Sequence, residues 1–192
     1  MATNINKMIA KLDPARREKI QKRVDELTAE EWAKRAHSFC HFCSTRYPNN
    51  SYPHVCVKCE QTVWVNPLPV VVMIVPFWDN GYLGVKRAIE PGLGKWAFPG
   101  GYMELGETWQ QTGSREVVEE TGAIIATDSI RLLNAKSVGN FVVILATSEP
   151  ISSEILSTFQ PNSEVSELMR ITKPIELAFP VQTRTLAAMF GQ

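Results

Sequence analysis

The stretch Gly101-Tyr-Met-Glu-Leu-Gly-Glu107, followed after seven residues by Arg115-Glu116-Val117-Val118-Glu119-Glu120-Thr121-Gly122, decides the fold of this chain. Thr108 is a good N-cap, and Gln111 three residues later completes a capping box with it. Gly122 supplies the left-handed residue that ends a helix. Between them the spacing predicts a helix of roughly three to four turns. Glu116, Glu119 and Glu120 stand at i, i+3 and i+4, which predicts three carboxylates on one face. Like charges at that spacing repel. Arg115 is placed to pair with Glu119, but one arginine does not neutralise three glutamates and Glu107. A bound Mg²⁺ or Mn²⁺ does, because hard cations take carboxylate, carbonyl and water oxygens. Gly113 inside the helix costs about 1 kcal/mol against alanine, which predicts close packing of that face against a sheet. The competing reading of a Glu-rich run is a solvated acidic face. The glycine turn, capping box, arginine and terminal glycine, all in register, select the metal site.

The same residues spell Gly-x5-Glu-x7-Arg-Glu-hydrophobic-x-Glu-Glu-x-Gly, which resembles the signature of the Nudix hydrolases at every fixed position. The likeness extends through Asn66-Pro67, Val70 to Val75, Asp79-Asn80-Gly81, Tyr82 to Arg87 and Gly94 to Gly101, and covers about residues 66 to 180. It implies an α+β fold, a mixed β-sheet sandwiched between helices. It implies hydrolysis of a nucleoside diphosphate linked to another moiety, by water attack at phosphorus with metal ions neutralising the pyrophosphate. Carried over, Glu116 and Glu120 are the expected principal Mg²⁺ (or Mn²⁺) ligands, with Glu119 next. Gly101 offers its carbonyl, Glu107 supports the site, and Arg115 orients the glutamates. In some members the general base is a helix glutamate, which here means Glu119 or Glu120. In others it sits in a later loop, where Glu164 and Glu167 are the candidates and an exposed acidic loop is the alternative. Ala123 stands where a larger aliphatic is usual, which weakens packing behind the site.

All four cysteines lie in Cys40-His-Phe-Cys43 and Cys56-Val-Lys-Cys59, separated by twelve residues. This spacing suits tetrahedral thiolate coordination of a structural Zn²⁺, a zinc ribbon. Two disulfides are the alternative. The polar N-terminus shows no signal peptide, which leads to an expectation of the reducing cytoplasm, where thiols persist. With four thiols available, His37, His41 and His54 are expected at the surface. A ribbon before a Nudix domain resembles the subgroup acting on dinucleotide cofactors or nucleotide sugars, with FAD, ADP-ribose and NADH as candidate substrates. The Ser-Gln-Pro-Trp motif of NADH pyrophosphatases is missing, since Ser163 to Phe179 contains no tryptophan, whereas Glu176-Leu-Ala-Phe179 has a counterpart in the sister group.

At 192 residues and 44% hydrophobic content, the chain can bury one sizeable core. Twenty basic and twenty acidic residues give zero formal charge, so no positive field draws nucleic acid. No apolar run approaches the roughly 20 residues of a membrane span. The organisation read from sequence is a helical extension over 1–36, a zinc ribbon over 37–64 and the Nudix domain over 65–192. In the extension, Asp13-Pro14 and Thr28-Ala-Glu-Glu31 each open a helix, for packing or for partner binding. Strands are expected at 70–76, 82–87, around 96–103, near 130–136 and at 140–147. A helix-containing tail over 174–190 has Thr183 as its candidate cap. Trp96, Phe98, Tyr102 and Trp109 are candidates to stack on a base or flavin, against the alternative that they are core. Lys86 and Arg87 are candidates for substrate phosphate, against plain surface charge. A small-molecule nucleotide substrate and a homodimer follow from the resemblance. The rival from another class is a regulator that senses a nucleotide and contacts a macromolecule through its ribbon or helical arm. Regulators of that kind lose motif glutamates, and here the acidic set is whole.

Overall fold

A computed structural model of the chain describes residues 13, 15, 16, 19, 38–48 and 52–191. The helices expected over 1–36 otherwise lie outside the described residues, as does His37. At Asp13 the carboxylate accepts the backbone N–H of Arg16 at 3.0 Å, an N-cap contact. The chain divides into two compact units, Met1–Val65 and Asn66–Gln192.

The first unit is organised by two knuckles of the same design. The Cys40 N–H donates to the Thr45 carbonyl and its carbonyl accepts Ser44 N–H, each at 2.8 Å. Cys56 repeats this with Gln61 and Glu60, at 3.0 and 2.9 Å. Each knuckle turns on a left-handed residue that is not glycine, Ser44 at φ 56° and Glu60 at φ 59°, a conformation that costs about 1–2 kcal/mol outside glycine. A two-stranded antiparallel ribbon, β1 (His54–Val55) and β2 (Thr62–Val63), carries the second knuckle. His54 is not at the surface as expected. It is 2% exposed and its ring stacks on Tyr47 at 4.2 Å, because the ribbon has few other groups with which to close its interior.

The second unit holds two sheets. In the larger, the order is β6 (Gly100–Tyr102), β3 (Leu68–Ile74), β8 (Phe141–Thr147), β7 (Arg131–Val138), with β3 and β8 parallel and the other pairs antiparallel. In the smaller, β5 (Trp96–Ala97) and β9 (Val165–Ile171) flank β4 (Tyr82–Arg87), both antiparallel to it. The helices are α1 (Trp109–Thr121), the single turn α2 (Ile155–Thr158) and α3 (Pro180–Met189).

Strand alternation explains the layering. In β3, Val71 and Met73 belong to the core cluster that contains Val117 of α1, whereas Val72 and Ile74 belong to the cluster that contains Val181 and Leu186 of α3. β8 follows the same period, with Ala146 in the first cluster and Val143 and Leu145 in the second. A sheet buried on both faces reads as the continuous apolar runs seen at 70–75 and 141–146. Burying each large side chain stabilises by roughly 1.5–3 kcal/mol. Gly113 meets the packing expectation, since a Cβ there would stand 2.5 Å from Met73 Sδ.

The tail contains a helix as expected, but not with the expected cap. α3 begins at Pro180 with Phe179 as N-cap and no side-chain cap. Proline suits the first helical position because its missing N–H has no partner there anyway. Thr183 lies inside the helix, and its hydroxyl instead accepts Leu177 N–H at 3.0 Å. The strand over Val165–Ile171 was not anticipated, because its polar residues obscure the alternation.

Candidate active site

The capping box at Thr108 and Gln111 is formed in both directions, and Gly122 ends α1 at φ 78°. The loop before the helix is held by its own acid: Glu107 Oε2 accepts the Glu104 N–H at 3.0 Å and the Thr112 hydroxyl at 2.8 Å. Arg115 then gathers the carboxylates. Its Nε and Nη2 fork onto the two oxygens of Glu107 at 2.8 and 3.0 Å. Its Nη1 reaches Glu116 at 2.8 Å and Glu119 at 3.0 Å, and Nη2 also donates to the Tyr102 carbonyl. One guanidinium thus bonds three carboxylates, Glu107 and Glu116 besides the expected Glu119, because the planar fork presents five donors. Glu107 is held down to about 2 by Arg115 first and the Glu104 N–H second.

The three helix glutamates are not equivalent. Glu116 and Glu120 are 8% and 5% exposed, while Glu119 turns outward and stays exposed. Glu116 fits into the space left by Gly101, where any Cβ would run into its carboxylate; only glycine lets strand and helix approach so closely. Glu120 Oε2 accepts the Gly100 N–H at 3.0 Å. Among the described residues no cation pairs with it. Burial raises the Glu116 pKa against the pull of Arg115, and pushes Glu120 up to about 8 with the Gly100 N–H opposing. These are the energetics of carboxylates withdrawn from water without enough positive charge.

The remaining candidates separate. Glu164 precedes β9, and its charge reaches Glu116 and Glu120, raising both. Glu167 is across the sheet, paired with Lys86 at 2.7 Å. That pair also occupies Lys86, whose ammonium lies 5.8 Å from the half-buried Trp96 ring. Arg87 donates to the Pro91 carbonyl at 2.7 Å, stacks 5.3 Å from Phe179, and acts on Glu120 through its charge. Phe98, a candidate for stacking on substrate, belongs to the core instead. Its ring is 2% exposed and packs in the α3 core, while its N–H donates to Gln182 Oε1 at 2.8 Å. Tyr102 is exposed, and Trp109 packs against the α1 core.

Two residues with a part in the site went unread. Gln182 fixes the backbone just before Gly100, and Asn162 bonds the end of α1. Both act through side-chain amides on backbone groups distant in sequence, a partnership no local pattern announces. A cavity of about 410 Å³ lies at the end of α1, lined by Val118, Glu119, Ile155, Phe159 and Asn162 among others.

In the ribbon, Cys40 Sγ lies 3.5 Å from Cys59 Sγ and Cys43 Sγ lies 3.5 Å from Cys56 Sγ. A disulfide would need about 2.05 Å, so the cysteines are free. All four sulfurs fall within 4.8 Å of one another, and no other such set of possible ligands converges among the described residues. Cys43 is lowered to about 6, first by the Thr45 hydroxyl and then by its N–H, whereas Cys59, against the pull of the Gln61 N–H, is pushed up to about 12 by burial and the neighbouring thiols.

The model of the NUDIX domain matches residues 67–186. The chain belongs to the NUDIX family. A crystal structure of a NUDIX hydrolase from Nitrosomonas europaea is similar at 30% identity and TM-score 0.64, over 78% of this chain and 88% of that one. The MutT protein of Methanosarcina mazei shares the NUDIX fold at 19% identity and TM-score 0.51, over 66% of this chain and 94% of that one. Among curated proteins, an ADP-ribose pyrophosphatase of Methanocaldococcus jannaschii is 44% identical over 52 residues, 27% of this chain. The NAD-capped RNA hydrolase NudC of Citrobacter koseri is 28% identical over 90 residues, 46% of this chain. These matches span about a third of each relative, 31% and 34% of their lengths. Among the described residues of this NUDIX protein, no helix is long and apolar enough to cross a membrane.

Proposed function

We propose that this chain is a Mg²⁺-dependent pyrophosphohydrolase that cleaves the diphosphate of an ADP-linked metabolite, with ADP-ribose first, then FAD and NADH. The observation that carries this reading is Glu120, a buried carboxylate with no paired cation among the described residues, beside buried Glu116 on the same helix. The donor set fits a hard cation: carboxylate oxygens of Glu116, Glu119 and Glu120, with the Gly101 carbonyl next to the space a Cβ would fill. When bound, the ion supplies Lewis-acid polarisation of phosphoryl oxygens and a more acidic water. The chain's own part is to hold that face in place. Arg115 holds Glu107 ionised and orients the carboxylates of Glu107, Glu116 and Glu119. Glu164, exposed and electrostatically linked to both buried glutamates, is the proposed general base, and Arg87 and Trp96 are the proposed substrate contacts. The four cysteines are proposed to hold a structural Zn²⁺, supported by four thiols that converge within 4.8 Å of one another, since a full set of four protein ligands is the pattern of structural rather than catalytic zinc. ADP-ribose leads because the name of one relative carries it.

The test is incubation with Mg²⁺ and a panel of ADP-ribose, FAD, NADH, NAD-capped RNA and nucleoside triphosphates. Release of AMP from ADP-ribose is expected. Glu120→Gln should lower kcat by about two to three orders of magnitude, the equivalent of several kcal/mol of charge stabilisation. Glu164→Gln should lower kcat with little change in KM. An inactive parent, indistinguishable from Glu120→Gln on every substrate, would promote the nucleotide-sensing regulator instead.

A further inference from the structure

We propose that Asn162 is a positioning residue, whose side-chain amide locks the Glu164 loop to the C-terminal end of the helix carrying the site glutamates. The inference rests on the hydrolase reading for its catalytic consequence. Its structural content stands separately.

The geometry uses every hydrogen-bonding group of one amide. Asn162 Nδ2 donates to the carbonyls of Glu119 at 3.1 Å and Glu120 at 3.2 Å. These carbonyls belong to the last turn of α1, where no helical N–H follows to meet them. Asn162 Oδ1 accepts the backbone N–H of Glu164 at 2.9 Å and of Val165 at 2.8 Å. The Asn162 N–H closes the same turn by donating to the Val165 carbonyl at 3.0 Å. Two donors and two acceptor sites are what a carboxamide has, and a flipped amide would set N–H against N–H. From the other side, the Glu164 carbonyl accepts Ala88 N–H at 2.7 Å. Both backbone groups of Glu164 are therefore tied, one through Asn162 to the acidic helix and one to the residue after Arg87. The side chain is left exposed, with its charge reaching Glu116 and Glu120.

Carbonyls at a helix end need a partner, and a side chain or water can supply it without fixing any loop. A catalytic carboxylate on a loop is different, because a displacement of about 1 Å is enough to cost on the order of a hundredfold in rate. Aspartate at this position would keep the two acceptor bonds and lose both donors. It therefore separates the turn from the tether.

The experiment uses the full chain with Asn162→Ala, Asn162→Asp, Glu164→Gln and the Asn162→Ala/Glu164→Gln pair. Amide exchange followed by NMR should accelerate more than about tenfold at Glu164 and Val165 in Asn162→Ala, with the α1 interior unchanged. With Mg²⁺ and ADP-ribose, Asn162→Ala and Asn162→Asp should each lower kcat about 10–30-fold with KM within about twofold of the parent. In the Glu164→Gln background, Asn162→Ala should cost less than about twofold more, since residues acting through one another are not additive. Unaccelerated exchange overturns the lock whatever the activity. A full additional loss in the Glu164→Gln background, or parental kcat in the folded Asn162→Asp protein, overturns its catalytic role. Accelerated exchange in a chain inactive on every substrate sinks the hydrolase reading and leaves the lock standing.

Discussion

Replacing Arg115 with alanine tests the electrostatics of the site directly. The change deletes two bonds to Glu107, one each to Glu116 and Glu119, and one to the Tyr102 carbonyl. An exposed ion pair contributes about 0–1 kcal/mol, whereas breaking a buried one costs about 3–5 kcal/mol. This cluster lies between those limits: the Arg115 side chain is 24% exposed, against 11% for Glu116 and 57% for Glu119. The Glu119 contact therefore adds little, and the cost comes from Glu107 and Glu116, left charged and short of donors. A loss of about 3 kcal/mol follows for the metal-free protein. For a unit of this size that is a fall of about 10 °C in Tm. Arg115→Lys keeps the charge but cannot fork, so about half the loss is expected. The assay is thermal unfolding by circular dichroism, with and without Mg²⁺. Mg²⁺ should recover part of the loss in Arg115→Ala, because a cation that binds only the folded state adds stability by mass action. A shift below about 0.5 kcal/mol would refute the reasoning, since the carboxylates would then be solvated well enough to need no counter-charge.

Three other perturbations reach different parts of the molecule. Glu120, with its ordinary value of 4.5 raised to about 8 in the fold, favours the folded metal-free chain most fully below 4.5, and that contribution is lost as pH rises through about 8. The stability difference between the parent and Glu120→Gln should therefore change across this window, and a pH-independent difference would contradict the burial argument. Gly101→Ala places a methyl against the Glu116 carboxylate. Tm should stay within a few degrees of the parent while Mg²⁺-dependent turnover falls about 10–100-fold, and parental turnover at the same Mg²⁺ would refute it. In the ribbon, metal analysis should find one zinc per chain, lost on Cys40→Ser, and a chelator should abolish ribbon order; a metal-free ribbon unchanged by chelation would exclude the site.

The motif helix was legible almost completely, because every signal for it is local. The cap, the terminal glycine, the glutamate spacing and the close approach at Gly113 all lie within one segment. Strands β3 and β8 were legible for a related reason: a strand buried on both faces is an unbroken apolar run. The reading failed where partners are distant. β9 interleaves Ser166, Glu167 and Arg170 with its apolar residues, and its identity as a strand depends on β4, some eighty positions earlier. Helical phase puts the three glutamates on one face without ranking them, and the ranking of Glu116 and Glu120 above Glu119 came only from the family resemblance. Which of them is buried depends on where Gly100 and Gly101 pass the helix, and phase does not contain that information. Phe98 illustrates the same limit, since its proximity to the motif in sequence says nothing about the side of the sheet on which its ring lies. His54 was misplaced because a small ribbon must use an aromatic partner as core.

The bond from Phe98 N–H to Gln182 joins residues 84 positions apart, and it sets the order in which this molecule becomes competent. During synthesis the whole motif helix emerges long before Gln182, yet the strand entering Gly100 has its clamp only once that residue has left the ribosome. The parallel partner of β3 is also late, since β8 begins at Phe141. Contacts of such long sequence separation form slowly, so a nascent chain that already carries Glu116, Glu119 and Glu120 still lacks the strand partner and the clamp that bring Gly100 and Gly101 against them.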